Sequence, residues 1–134
     1  MSCPTEPAGV GPNTRTCLIV DDSRTVRAIA RRILQGMNFV VEEAVDGQAG
    51  LEACRLSMPK AVLLDWNMPV LNGIEFLRAL RSSEGGSAPI VVFCTTENDV
   101  RHSADAFDAG ANEYIFKPFD ADMLQKKFAK VGLA

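Results

Sequence analysis

Five times along this chain a short run of strand-forming residues gives way to a stretch with apolar residues at helical spacing, and four of the five runs stop on a polar residue. The runs are Thr16 to Val20, ending on Asp21-Asp22; Phe39 to Ala44; Ala61 to Leu64, ending on Asp65; Pro89 to Cys94, ending on Thr95-Thr96; and Asn112 to Phe116, ending on Lys117-Pro118. Each is too short for a typical helix and suits a buried strand. Between them, Ser23 can cap a helix carrying Val26, Ile29, Ala30, Ile33 and Met37 on one side, with Gly36 as its stop. A second helix from Gly47 to Ser57 aligns Gly50, Leu51, Cys54 and Met58; a third carries Gly73, Phe76, Leu77 and Leu80; a fourth carries Val100, Ala104 and Phe107. Asp120 caps a fifth, with Leu124, Phe128 and Val131 inward.

Strict strand-then-helix alternation predicts an α/β fold: a doubly wound, five-stranded parallel sheet with five helices on its two faces. All strand C-termini then share one edge, where ligands of open α/β sheets bind. Asp21, Asp22, Asp65, Thr95 and Lys117 converge there from distant parts of the chain.

Carboxylates crowded in a partly dry cleft repel one another unless a cation compensates, and an all-oxygen set with room for water suits Mg²⁺. The chemistry this predicts is phosphoryl transfer. Asp65 is the candidate nucleophile, Lys117 pairs with a phosphoryl oxygen, and the Thr95 hydroxyl hydrogen-bonds another.

The remaining composition limits the alternatives. With 134 residues and 47% hydrophobic content, the chain holds one domain, expected over residues 15–134, behind a Pro- and Gly-rich tail over 1–14. The net charge of −3 and the lack of a basic run argue against nucleic acid as a partner. Cys3, Cys17, Cys54 and Cys94 are scattered, which favours free thiols over a disulfide frame or zinc site. No membrane-length apolar stretch or secretory signal is read, so a cytoplasmic location is expected.

The motifs Leu-Ile-Val-Asp-Asp-Ser, Leu-Leu-Asp-Trp-Asn-Met-Pro, Gly73, Thr95-Thr96-Glu97, Gly110-Ala111 and Tyr-Ile-Phe-Lys-Pro-Phe, in this order and spacing, resemble the receiver domain of two-component response regulators, most closely the single-domain CheY-like kind. The resemblance covers about Thr16 to Leu133. It implies the strand order 2-1-3-4-5, and Asp65 as acceptor of a phosphoryl group from a sensor histidine kinase or phosphotransfer protein. It further implies that Asp22, Asp65 and the Asn67 backbone carbonyl ligate Mg²⁺, with Asp21 acting through water, and that Lys117 clamps the phosphate from a cis peptide to Pro118. Thr95 and Tyr114 become a switch pair, and Asn67 and Glu97 tune hydrolysis toward a short-lived phosphoryl state. Such a protein is no conventional enzyme; it catalyses its own phosphorylation and dephosphorylation. Its output is contact with a protein target of chemotaxis or motility type through the fourth helix, fifth strand and fifth helix, from a monomer. Thr96 departs from the small Ala or Ser often found there, and its bulk would slow larger donors.

The sequence is also compatible with other readings. A phosphorylation-independent adaptor would use the fold without the chemistry. A Mg²⁺-dependent aspartyl-phosphate phosphatase wants a second acid two residues after its nucleophile, where this chain has Asn67. A flavodoxin-like protein would be coloured by its cofactor. His102 reads as a surface residue rather than a phosphohistidine carrier. Arg24, Arg27 and Arg31 form a stripe that is either a solvated face or a docking site for an acidic donor, and Lys126, Lys127 and Lys130 are equally ambiguous.

Overall fold

The apolar alternation along each strand sorts the side chains into two cores, one on each face of a single sheet. In β1 (Thr16–Val20), Cys17 and Ile19 enter one core while Leu18 and Val20 enter the other. β3 (Ala61–Asp65) repeats this with Ala61 and Leu63 against Val62 and Leu64, all buried. The computed structural model describes residues 15–66, 68, 70–96 and 102–133. The remaining elements are α1 (Arg24–Gly36), β2 (Val40–Ala44), α2 (Gly47–Leu56), α3 (Gly73–Ser82), β4 (Ile90–Thr95), α4 (His102–Ala109), β5 (Glu113–Phe116) and α5 (Ala121–Lys130).

All strand pairings are parallel and the order is β2-β1-β3-β4-β5, as the resemblance implied. α1 and α5 cover one face through Ala30, Leu34, Leu124 and Phe128; α2, α3 and α4 cover the other through Cys54, Phe76, Leu77, Leu80 and Ala106. Each fully buried Leu or Phe contributes about 1.5–3 kcal/mol, so this double packing dominates the stability.

Caps set where the helices start. The Ser23 hydroxyl accepts the Val26 N–H at 3.2 Å and the Asp120 carboxylate accepts the Met123 N–H at 2.9 Å, both as the sequence suggested. Asp46 does the same for α2, and Asn72 with Glu75 forms a reciprocal capping box on α3.

One expectation for α1, its inward stripe, needs correction. Ile29 does not point inward but is 47% exposed, and Leu34, which the assumed stripe omitted, is fully buried. Ala30 and Met37 are buried as the stripe expected and Ile33 packs against the same core, so the buried face takes in Leu34 and leaves out Ile29. The helix ends at Gly36 as expected, and the left-handed residue that follows is Asn38, at φ 68°.

Gly73 is required by a close approach. A Cβ there would stand 2.6 Å from the Asp65 carbonyl oxygen and 2.8 Å from the Trp66 Cα, while its N–H donates to the Trp66 carbonyl at 3.0 Å. The start of α3 thereby seals the end of β3 directly beneath Asp65.

Candidate functional site

Sheet register decides which side chains meet. Val20 lies opposite Leu64, so the residues that follow, Asp21 and Asp65, stand side by side at the carboxyl edge. Asp65 pairs in register with Cys94, and Lys117 follows the end of β5, its N–H donating to the Thr95 carbonyl at 2.7 Å. Pleat parity puts Asp21, Asp65 and Lys117 on the α1/α5 side; Thr95 and Tyr114 fall on the opposite side.

Lys117 is the hub of this edge. Its Nζ donates to Oδ1 of Asp65 and pairs with Oδ2 of Asp21, both at 2.9 Å. The other Asp21 oxygen accepts the Ser23 N–H at 2.8 Å. Asp21 and Asp65 are 2% and 5% exposed, whereas Asp22 faces solvent. The Lys117-Pro118 peptide is cis.

Burial pushes the Asp65 carboxyl above the usual carboxylate range; the Lys117 hydrogen bond and charge pull it partly back, and the charges of Asp21 and Asp22 add to the rise. Burial alone would lower the Lys117 ammonium, but its hydrogen bonds to Asp21 and Asp65 more than reverse that and hold it above the ordinary lysine value. It therefore stays charged.

The three carboxylates offer ligand oxygens within 4.8 Å of one another. Against one ammonium they leave two uncompensated negative charges. An all-oxygen set with that residual charge, one member open to water, fits a hard divalent cation such as Mg²⁺.

Thr95 is buried, with its hydroxyl 3.4 Å from the Thr96 carbonyl. Tyr114 is half-buried, its ring edge-on to Phe107 at 6.1 Å and to Phe116 at 5.4 Å, and the Lys127 ammonium sits 4.4 Å from the ring centroid. Asn67, Glu97, Val100, residues 1–14 and the His102 side chain lie outside the described residues.

The basic stripe is divided. Arg24 is exposed, but Arg27 and Arg31 both turn onto Glu43 of β2. The hydrogen bond from Arg31 leads in lowering the Glu43 carboxyl, with Arg27 adding to it. Lys127 and Lys130 likewise share the buried Glu113, whereas Lys126 pairs with Asp122 on the surface. Sequence reasoning missed Glu43 and Glu113 because nothing local marks a strand carboxylate as the partner of a helix cation.

Cys17, Cys54 and Cys94 are free and buried. Burial raises the Cys17 thiol to about 12 and the Cys54 thiol to about 11, so neither competes as a nucleophile.

Acids ending β1 and β3, a lysine after β5 and the order 2-1-3-4-5 define the class as a receiver-type α/β fold. The chain belongs to the response regulator receiver domain family, whose model matches residues 17–129. The chemotaxis protein CheY of Pseudomonas aeruginosa is 36% identical over 115 residues, covering 85% of this chain and 93% of that protein. The response regulator MprA of Mycolicibacterium vanbaalenii is 42% identical over 107 residues, 80% of this chain and 46% of MprA, so the chain spans about half the length of that relative. Among solved structures, the chemotaxis protein CheY4 of Vibrio cholerae superposes with a TM-score of 0.82 at 30% identity, covering 87% of this chain and 98% of that one.

Proposed function

We propose that this chain, over residues 15–134, is a phosphorylation-controlled switch in which Asp65 accepts a phosphoryl group from a histidine kinase or phosphotransfer protein. The observation that carries this reading is the Lys117 ammonium held 2.9 Å from both Asp65 and Asp21, with Asp22 open beside them. That arrangement supplies an acceptor carboxylate and a fixed cation for the incoming oxygens.

In the transfer, an Asp65 carboxylate oxygen attacks phosphorus in line. The bond from phosphorus to the donor's imidazole nitrogen breaks, its electron pair stays on the nitrogen, and an acyl phosphate forms on Asp65. Lys117 turns from the Asp65 carboxylate to the new phosphoryl oxygens. Mg²⁺, held by Asp22, Asp65 and the Asn67 carbonyl with Asp21 acting through water, would neutralise charge on those oxygens. Because attack needs the ionised carboxylate, the raised Asp65 pKa makes transfer slow as pH falls through it.

A cleft of about 350 Å³ lined by Val26, Ile29, Pro118 and Phe119 opens beside Lys117 and gives the donor an apolar foothold. Downstream, the Thr95 hydroxyl turns toward the phosphoryl group and Tyr114 moves into the vacated space, which changes the face formed by α4, β5 and α5. A protein target of chemotaxis or motility type reads that face from a cytoplasmic monomer. Asn67 and Glu97 keep the phosphoryl state short-lived.

Hydrogen exchange with and without acetyl phosphate and Mg²⁺, with incorporation checked by mass, tests the switch. Altered exchange over residues 102–130 supports it. Full phosphorylation without any change there would favour a phosphorylation-independent adaptor.

A further inference from the structure

Asp22 is the exposed acid of the pocket, and its direction is inherited from the peptide before it. A peptide unit is planar, so whatever holds the Asp21 carbonyl oxygen also fixes the Asp22 Cα. Asp21 itself is well held: its N–H donates to the Ala44 carbonyl at 3.1 Å, Oδ1 accepts from Ser23, and Oδ2 meets Lys117. Its carbonyl lies past the end of the β1 ladder and takes a side-chain donor instead, Nη1 of Arg27 at 2.8 Å.

Arg27 is in turn held from a third element. Its Nε donates to Oε1 of Glu43 at 2.9 Å, and its side chain is only 13% exposed. A planar guanidinium can span two acceptors on different strands; a lysine ammonium has no such fork. Arg31 grips the other Glu43 oxygen and the Val41 carbonyl, so it steadies Glu43 without touching Asp21.

We infer that Arg27 is a positioning residue for cation binding: braced by Glu43, it locks the Asp21-Asp22 peptide so that the Asp22 carboxylate is aimed at the pocket. The inference rests on the Mg²⁺ reading above and gives the Arg27 side of the basic stripe a role distinct from partner docking. Partners that orient a ligand from outside the coordination sphere are worth about 10–100-fold in metal affinity.

Trp66, the chain's one tryptophan and the neighbour of Asp65, supplies the signal for a Mg²⁺ titration. Wild type, Arg27→Met, Arg27→Lys and Arg31→Met are titrated alongside their urea unfolding midpoints in EDTA. Arg27→Met and Arg27→Lys should each weaken Mg²⁺ binding about tenfold. Arg31→Met should lose clearly less affinity than either Arg27 variant even where its unfolding midpoint falls as far as that of Arg27→Met. The charge-preserving Arg27→Lys carries the test if Arg27→Met does not fold. Wild-type affinity in both Arg27 variants overturns the inference, as does an equal loss in Arg31→Met, which would mark general loosening of the α1/β2 clamp. A wild type with no saturable Mg²⁺ response overturns the metal reading itself and this inference with it.

Discussion

The Lys117 ammonium donates to the Asp65 carboxylate across 52 residues of sequence at 2.9 Å, and it still does not bring that buried carboxyl down to an ordinary pKa. The folded chain therefore takes up a proton at Asp65 more readily than the unfolded chain. The stability contributed by this group is greatest below its unfolded pKa of about 3.9 and declines as pH rises through the raised folded value. Asp65→Asn is neutral throughout. Urea midpoints in EDTA should show the variant gaining on the wild type between pH 4 and pH 7. A gap that is constant or reversed would contradict the assignment of burial as the dominant effect.

Glu113 has the opposite sign. Burial pushes its carboxyl up, but the Tyr114 N–H at 2.9 Å and the Lys130 and Lys127 ammonium groups bring it below the ordinary value. Its contribution is present above the unfolded pKa of about 4.3 and lost as pH falls through the folded one. Thermal melts from pH 6 down to pH 3 should show the wild type losing its advantage over Glu113→Gln. The same variant frees Lys127, which now rests between Glu113 and the Tyr114 ring.

Val70 holds φ at 70° while its side chain is 80% exposed. A β-branched residue in the left-handed region is strained by about 1–3 kcal/mol, and little packing repays it. Val70→Asn should stabilise the fold by about 1 kcal/mol, raising the melting temperature by about 4 °C. An unchanged or lower melting temperature would show that the loop gains something from valine.

Arg81 ties together two connections on the opposite edge, α3 to β4 and α4 to β5. Its guanidinium donates to the carbonyls of Gly86, Pro89 and Gly110 and to Oδ1 of Asn112 at 2.8–3.1 Å. Gly110, at φ 117°, leaves room for it; a Cβ there would come within 2.8 Å of the arginine stem. Arg81→Met strands several carbonyls at once and should cost about 2–4 kcal/mol by urea denaturation. A cost under about 0.5 kcal/mol would mean water replaces it freely.

Four of the five strand ends were legible because the run stops on a polar residue, as Val20 gives way to Asp21 and Leu64 to Asp65. Parallel topology then carries those acids to one edge without further information. Ser23 and Asp120 were readable as caps because the signal lies within three residues. Arg27 and Arg81 were not readable in this way, since their acceptors lie 16 and up to 31 residues away and depend on which strands become neighbours. Ile29 misled because helical spacing gives an apolar stripe but not which of its residues the sheet covers. Val70 contradicts local propensity outright, and only the close turn from β3 to α3 calls for its backbone.

A phosphoryl group on Asp65 is read directly by intact mass after incubation with acetyl phosphate. With Mg²⁺ the wild type should gain one phosphoryl group, while EDTA and Asp65→Asn should each abolish the gain. No adduct with Mg²⁺, and no beryllium fluoride response either, would rule out Asp65 as the acceptor; so would an adduct that persists in Asp65→Asn.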